Sequence, residues 1–250
     1  MGRSKPQVLA VIPARYASTR LPGKVLMEVA GKPIVQHVYE RTRQARLVDD
    51  CVVATDDERV VEALKPFGSK VVMTSRDHPS GTDRIAEVAA SSSAEIIVNV
   101  QGCEAIIEPT MIDQAIQPLL DDPDVVMATL KHRISDESEI DDPNVVKVVT
   151  DKDDRALYFS RAAIPAIRDV ADTGARKWCY YKHVGLYVYR RAFLLSYAQM
   201  APTALEKLEK LEQLRALENG FEIVVTETEF DSIGVDTMEA FQRVKRLLES

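Results

Sequence analysis

The sequence predicts an α/β protein: a three-layer, mostly parallel, doubly wound sheet that carries a small mixed-sheet extension. Three observations lead there. Short β-branched runs alternate with stretches of helix length through the first half, a basic loop follows the opening strand directly, and after residue 124 strands succeed one another with little helix between. At 250 residues and 46% hydrophobic content, the chain can bury the core of one domain of this class.

Val8 to Ile12, Cys51 to Thr55, Lys70 to Thr74 and Glu95 to Val100 read as strands of a parallel sheet, because they are apolar runs without a polar face. Between them, Ile34 to Leu47 and Asp57 to Phe67 have apolar residues at helical spacing, and Pro109 to Leu120 begins with proline, which suits a first helical turn. Further strands follow at Val125 to Leu130, Val145 to Thr150 and Val184 to Tyr189, and their succession predicts a mixed or antiparallel extension. A helix from Ala204 to Asn219 is closed by Gly220, and a strand at Glu222 to Thr228 and a helix from Thr237 end the chain. There is no internal repeat, low-complexity tract or linker.

A formal net charge of −7 argues against a nucleic-acid partner, since phosphate neutralisation needs a clustered excess of Lys and Arg. The start is short and polar, and no apolar stretch approaches the roughly 18 to 20 residues of a membrane span, so a soluble, unsecreted, cytoplasmic protein is expected. Cys51, Cys103 and Cys179 lie far apart without CxxC spacing, which predicts neither a disulfide framework nor a zinc cluster. Cys51 and Cys179 read as packing residues.

The loop Pro13 to Lys24 stands at the carboxyl end of the opening strand, the edge where ligands bind in open α/β sheets. Arg15, Arg20 and Lys24, with the hydroxyls of Ser18 and Thr19 and the backbone donors around Gly23, suit a triphosphate. A dinucleotide oxidoreductase would need a glycine-rich turn here, and a metal hydrolase would need clustered ligands, whereas His37, His78, His132 and His183 show no ligand spacing. Asp57 reads as a helix cap following Asp56, and Asp141 and Asp142 as part of a turn before Pro143.

ARYASTRLPGK at 14–24 resembles the signature loop of the 3-deoxy-manno-octulosonate cytidylyltransferases, the CMP-Kdo synthetases. The resemblance runs nearly the length of the chain: VATDDERV at 53–60, MTSRDHPSGTDRIAE at 73–87, VNVQG at 98–102, ALYFSRAAIP at 156–165, KHVGLYVYR at 182–190, LEKLEQLRALENG at 208–220 and GVDT at 234–237. It implies a single cytidylyltransferase domain over 1–250, with a dimerisation and sugar-acid subdomain at about 125–215, working as a homodimer that supplies lipopolysaccharide synthesis. The implied reaction joins CMP from CTP to Kdo and releases pyrophosphate, the sugar's anomeric hydroxyl attacking the α-phosphorus directly with Mg²⁺ assistance.

Residue by residue, the resemblance implies catalytic roles for Arg15, Lys24 and Asp236, and triphosphate contacts for Ser18 and Arg20. Ser80, Asp83, Arg84 and Gln101 lie in the segments that match the cytosine and ribose site, although Arg84 also reads as a surface residue of a first helical turn. Arg161, His183, Tyr187, Glu212 and Gln213 match the sugar-acid site, arginine being suited to a carboxylate and the others to several hydroxyls.

The family pattern QGDEP departs here to Gln101-Gly102-Cys103-Glu104-Ala105, so a thiol replaces one of two metal carboxylates while Asp236 remains. Val25 and Ala105 also stand where the family has proline. Mg²⁺ prefers oxygen, and thiol is a poor substitute. Three readings follow: a Kdo enzyme holding Mg²⁺ or Mn²⁺ through Asp236, Glu104, water and substrate oxygens; a cytidylyltransferase acting on another small acid, such as an amino-sugar acid or a phosphonate; or a non-catalytic CTP or sugar-acid binding protein.

Overall fold

A computed structural model of the chain describes residues 6–17, 21–168 and 179–249. Among these, nine strands form one sheet whose central path runs β5 (Val71–Met73), β4 (Asp50–Thr55), β1 (Val8–Pro13), β6 (Ile96–Asn99), β10 (Tyr181–Arg190), β7 (Met127–Arg133) and β11 (Val224–Thr228). Within this path β10 alone pairs antiparallel with both neighbours, and the other adjacent strands pair parallel. β8 (Lys147–Thr150) pairs with β10 and with β9 (Ala156–Ser160), so the extension expected from the sequence grows out of the main sheet. A separate two-stranded ribbon joins β2 (Glu28–Val29) to β3 (Lys32–Pro33).

Strand β1 explains the layering. Val8, Ala10 and Ile12 pack into one apolar cluster with helices α1 (Ile34–Thr42), α2 (Glu58–Leu64) and α4 (Pro109–Asp121), while Leu9 and Val11 enter another. That second cluster includes α3 (Gly81–Ala90) and the helices Arg191–Tyr197 and Leu214–Glu218. Alternate side chains leave a strand on opposite faces, so two apolar clusters on one strand mean helices on both sides. The three-layer α/β fold is as expected.

The residues after the strand ends Pro13 and Asn99 meet where the chain has gone from β1 outward to β4 and β5 and returned as β6 on the other side of β1. Such a reversal leaves a crevice at the carboxyl ends of the strands. Adjacent arginines fasten the carboxyl ends of two helices. Arg190 donates to the carbonyls of Leu119, in the last turn of α4, and of Asp122 and Pro123 just beyond it, and Arg191 to those of Ala89 and Ala90 at the end of α3. Cations placed on freed helix carbonyls stabilise those ends.

Two expected elements are shorter than the apolar spacing suggests. Helix α1 stops at Thr42 and not near Leu47, because the carboxylate of buried Asp113 on α4 captures the backbone N–H groups of Arg46 (3.2 Å) and Leu47 (2.8 Å). The helix expected over Ala204 to Asn219 is two, Ala204–Glu209 and Leu214–Glu218, broken at Lys210 with φ +54°. Arg161 secures that break by donating to the carbonyls of Glu209 at 2.7 Å and Lys210 at 3.4 Å. Cys179 is exposed, so it is a surface thiol and not a packing residue, whereas Cys51 is buried as expected.

Because Asp113 is the acceptor that ends α1, Asp113→Ala leaves two backbone donors without their partner. Urea unfolding should report a loss of about 1–3 kcal/mol. An unchanged midpoint would mean that the turn after α1 holds itself.

Candidate active site

The crevice at the carboxyl ends of β1 and β6 is a cleft of about 360 Å³, lined among others by Pro13, Arg15, Ala17, Lys24, Ser80, Gln101, Cys103 and Asp236. Three separate chain segments are brought together there by main-chain contacts. A Cβ at Gly102 would lie 2.7 Å from the Pro13 carbonyl oxygen, so the chain after β6 can press against the end of β1 only with glycine at this place. Val235 N–H then donates to Cys103 C=O at 3.0 Å, which brings Asp236 alongside.

Lys24 forms a close ion pair with Asp236 across 212 residues of sequence. Arg15 lines the same cleft and donates to the carbonyls of His78 (2.7 Å) and Pro79 (3.2 Å), fixing the turn that leads into α3. Its Nε is buried and without a partner among the described residues. Ser18 and Arg20 lie outside the described residues.

Helix α3 begins at the cleft. Ser80 accepts from Asp83 N–H at 3.2 Å and Asp83 accepts from Ser80 N–H at 3.1 Å, a reciprocal capping box. Ser80 and Gly81 face the cleft, so the positive end of a 10-residue helix is directed at it, an arrangement that favours anions. Arg84 is not a surface residue. It is fully buried, pairs with Asp56 at 2.9 Å and with the Thr74 hydroxyl, and supports the cleft from behind without lining it.

A second pocket of about 150 Å³ adjoins the first, sharing Gly81 and Gln101. Tyr187, Tyr189, Tyr197, Glu212 and Gln213 contribute to its walls. The break at Lys210 makes this possible, because Glu212 and Gln213 lie between the two short helices. Burial raises the pKa of Glu212 and, far more, that of Tyr187, whose hydroxyl therefore stays protonated. The Gln213 side-chain nitrogen is buried without a partner among the described residues.

Two expected sugar-acid residues stand apart from this pocket. Arg161 is engaged with carbonyls of Glu209, Lys210 and Pro143. His183 bonds the Thr129 hydroxyl at 2.9 Å and packs against Phe159 and Tyr187, and burial lowers its pKa to about 3, which keeps the ring neutral. Tyr189 and Tyr197 are not among the expected site residues, although Tyr189 lies in KHVGLYVYR and follows Tyr187 by two residues on β10, the spacing of one strand face. Tyr197 sits on a helix that the apolar spacing did not reveal.

The thiol of Cys103 is pushed up to about 12, chiefly by burial and then by the neighbouring Glu104, so it is a neutral group at ordinary pH. Burial raises the Glu104 pKa too, and its carboxyl turns away to the Ser232 hydroxyl. Among the described residues no three His, Cys, Asp or Glu side chains gather as a metal cage. The donor set still fits Mg²⁺ in the manner in which that ion binds nucleotides, through one carboxylate, here Asp236, with phosphate oxygens and water. A protonated thiol adds no hard ligand.

Two outcomes follow. At pH 8 a thiol reagent should modify exposed Cys179 quickly, and buried Cys51 and the half-buried, protonated Cys103 more slowly, as mass spectrometry of the labelled peptides would show; labelling of Cys103 as fast as that of Cys179 would contradict its raised pKa. Gly102→Ala must push the chain after β6 off β1, at a cost of about 1–3 kcal/mol in unfolding free energy and with weakened nucleotide binding by calorimetry. Native-like stability in that variant would show that the close approach is dispensable.

A family model described as cytidylyltransferase matches residues 9–226. The 3-deoxy-manno-octulosonate cytidylyltransferase of Geobacter metallireducens is 60% identical over 245 residues, covering 95% of this chain and 96% of its own, and that of Pelobacter propionicus is 61% identical with 92% of each chain covered. A solved structure of CMP:2-keto-3-deoxy-manno-octonic acid synthetase complexed with CTP superposes with a TM-score of 0.91 at 44% identity, covering 97% of this chain and 98% of that one. These names side with a Kdo enzyme and not with another acid or a non-catalytic role. By model match, by identity over nearly its whole length and by fold, the chain belongs to the cytidylyltransferases, among the 3-deoxy-manno-octulosonate cytidylyltransferases.

Proposed function

We propose that the chain transfers the CMP group of CTP to 3-deoxy-manno-octulosonate and releases pyrophosphate. The observation that carries this reading is the junction of the two pockets at Gly81 and Gln101. A cationic cleft meets a pocket of tyrosines, a carboxyl and an amide nitrogen without a partner among the described residues. A triphosphate suits the first and a polyhydroxylated acid the second.

In this reading Arg15 and Lys24 carry the charge of the phosphates, with Ser18 and Arg20 of the same loop assisting. The start of α3, with Ser80 and Asp83, and Gln101 hold the nucleoside end, and Arg84 keeps that wall firm through Asp56. Tyr187, Glu212 and Gln213 orient the sugar so that its anomeric hydroxyl faces the α-phosphorus. Arg161 first holds the break that presents Glu212 and Gln213, and it reaches the sugar carboxylate only by giving up backbone carbonyls. His183, neutral, backs Tyr187.

No enzyme nucleophile is required, and the protonated Cys103 thiol is unsuited to be one. Positioning of two anionic reactants and stabilisation of charge on the transferring phosphate then supply the acceleration. Asp236 would hold Mg²⁺, or Mn²⁺ in its place. When bound, such an ion neutralises phosphate oxygens and polarises the reacting phosphate. Lys24 must share Asp236 with that ion, and a triphosphate offers Lys24 an alternative partner.

Family membership supports three wider statements. The protein works in the cytoplasm, as a homodimer through the subdomain at about 125–215, and its product feeds lipopolysaccharide synthesis. No helix among the described residues is long and apolar enough to cross a membrane.

Pyrophosphate release from CTP, Kdo and Mg²⁺ tests the reaction. The native chain should turn over, and Lys24→Met should lower kcat/KM by roughly 10²–10³-fold, the usual effect of deleting one donor to developing phosphate or oxyanion charge. Turnover with another small acid but not with Kdo would overturn the substrate, and CTP binding without turnover on any acid would overturn the enzyme.

A further inference from the structure

The loop that carries Arg15 and Lys24 is fastened from outside the cleft. Tyr16 enters the loop and Gly23 leaves it, and Gly23 N–H donates to Tyr16 C=O at 2.8 Å, closing the base. Gly23 has φ +71°, and a Cβ there would lie 3.3 Å from the Tyr16 ring, so ring and glycine backbone are in close contact. The guanidinium carbon of Arg59 stands 3.4 Å from the centroid of the same ring.

Arg59 is itself held. Its Nε and Nη2 donate to the two oxygens of Asp57 at 2.8 and 2.6 Å, a bidentate pair with a defined plane. Asp57 caps α2 by accepting from Arg59 N–H at 3.0 Å, and its pKa is lowered to about 2 by this arginine. A rigid helix start therefore presents a flat cation to the ring. Tyr16, Asp57 and Arg59 do not line the cleft, but Arg15 and Ala17, on either side of Tyr16, do, as does Lys24 next to Gly23.

We infer that Arg59 is a positioning residue for nucleotide binding: stacked on Tyr16, it holds the base of the phosphate loop so that Arg15 and Lys24 stand ready for the triphosphate. The inference rests on the reading of this cleft as the CTP site. A loop base already in place avoids part of the ordering cost on binding. Once CTP is bound, its phosphates hold Arg15 and Lys24 themselves, so loss of the stack acts on affinity and not on the chemical step.

The test is a double-mutant cycle with Arg59→Gln and Tyr16→Leu in the full chain. Thermal melting checks folding, and CTP is titrated by calorimetry alongside steady-state kinetics. Arg59→Gln should raise the Kd and KM for CTP about two- to fivefold, with kcat and the KM for Kdo changed less than that. The double variant should bind CTP about as weakly as the weaker single one, since both remove the same contact. Arg59→Lys, which keeps the cation and loses the fork, should recover part of the affinity. Unchanged CTP affinity in Arg59→Gln, equal losses for both substrates, or fully additive effects in the cycle would overturn the inference. A native chain that fails to bind CTP would overturn the reading of the cleft itself, and the inference with it.

Discussion

Where β1 and β6 end, the backbone of Gly102 passes so close to the Pro13 carbonyl oxygen that an added Cβ would lie 2.7 Å from it. This approach sets the floor of the cleft. It brings Gln101 and Cys103 beside the loop that follows β1, and the Cys103 carbonyl then anchors Val235, next to Asp236. Lys24 completes the closure through its ion pair with Asp236. Residues 13–17 and 24 thus share one surface with 101–103 and 236, because two backbones touch without a side chain between them.

The electrostatics follow from that geometry. Arg15 and Lys24 line the cleft with Asp236, and Cys103, being protonated, adds no charge. The capped start of α3 adds its partial positive charge. The result is a pocket suited to a polyanion inside a protein whose overall charge is −7, which is how a local phosphate site is reconciled with an acidic chain. Beside it, buried Tyr187 and Glu212 are shifted toward their neutral forms, so the neighbouring pocket presents hydrogen-bonding groups for an uncharged part of a substrate.

Much of this was legible in the sequence, for identifiable reasons. β1, β4 and β6 were apparent because a strand buried on both faces has to be apolar, the half-exposed edge strand β5 because its run is β-branched, and α4 because proline suits its first turn. The loop at 13–24 stood out because cations directly after the first strand of such a sheet have few structural uses. What escaped were features set by distant partners. Asp113 ends α1 from about 66 residues away, and Arg161 supports the break at Lys210, and neither leaves a mark in local spacing. Arg84 reads either as a nucleotide-site residue or as a surface residue, and its buried pairing stayed hidden because nothing near it in sequence announces Asp56 as its partner. Tyr197 was hidden in a seven-residue helix, too short for periodicity to reveal.

The proposed reaction joins a nucleotide, held in the cleft, to a sugar acid held in the neighbouring pocket. ³¹P NMR of CTP incubated with Kdo, Mg²⁺ and the native chain tests it most directly. The three CTP resonances should give way to pyrophosphate and, in equal amount, to the single phosphodiester resonance of a CMP–sugar product. CTP that persists unchanged, or that yields CMP and pyrophosphate with no sugar adduct, would contradict it.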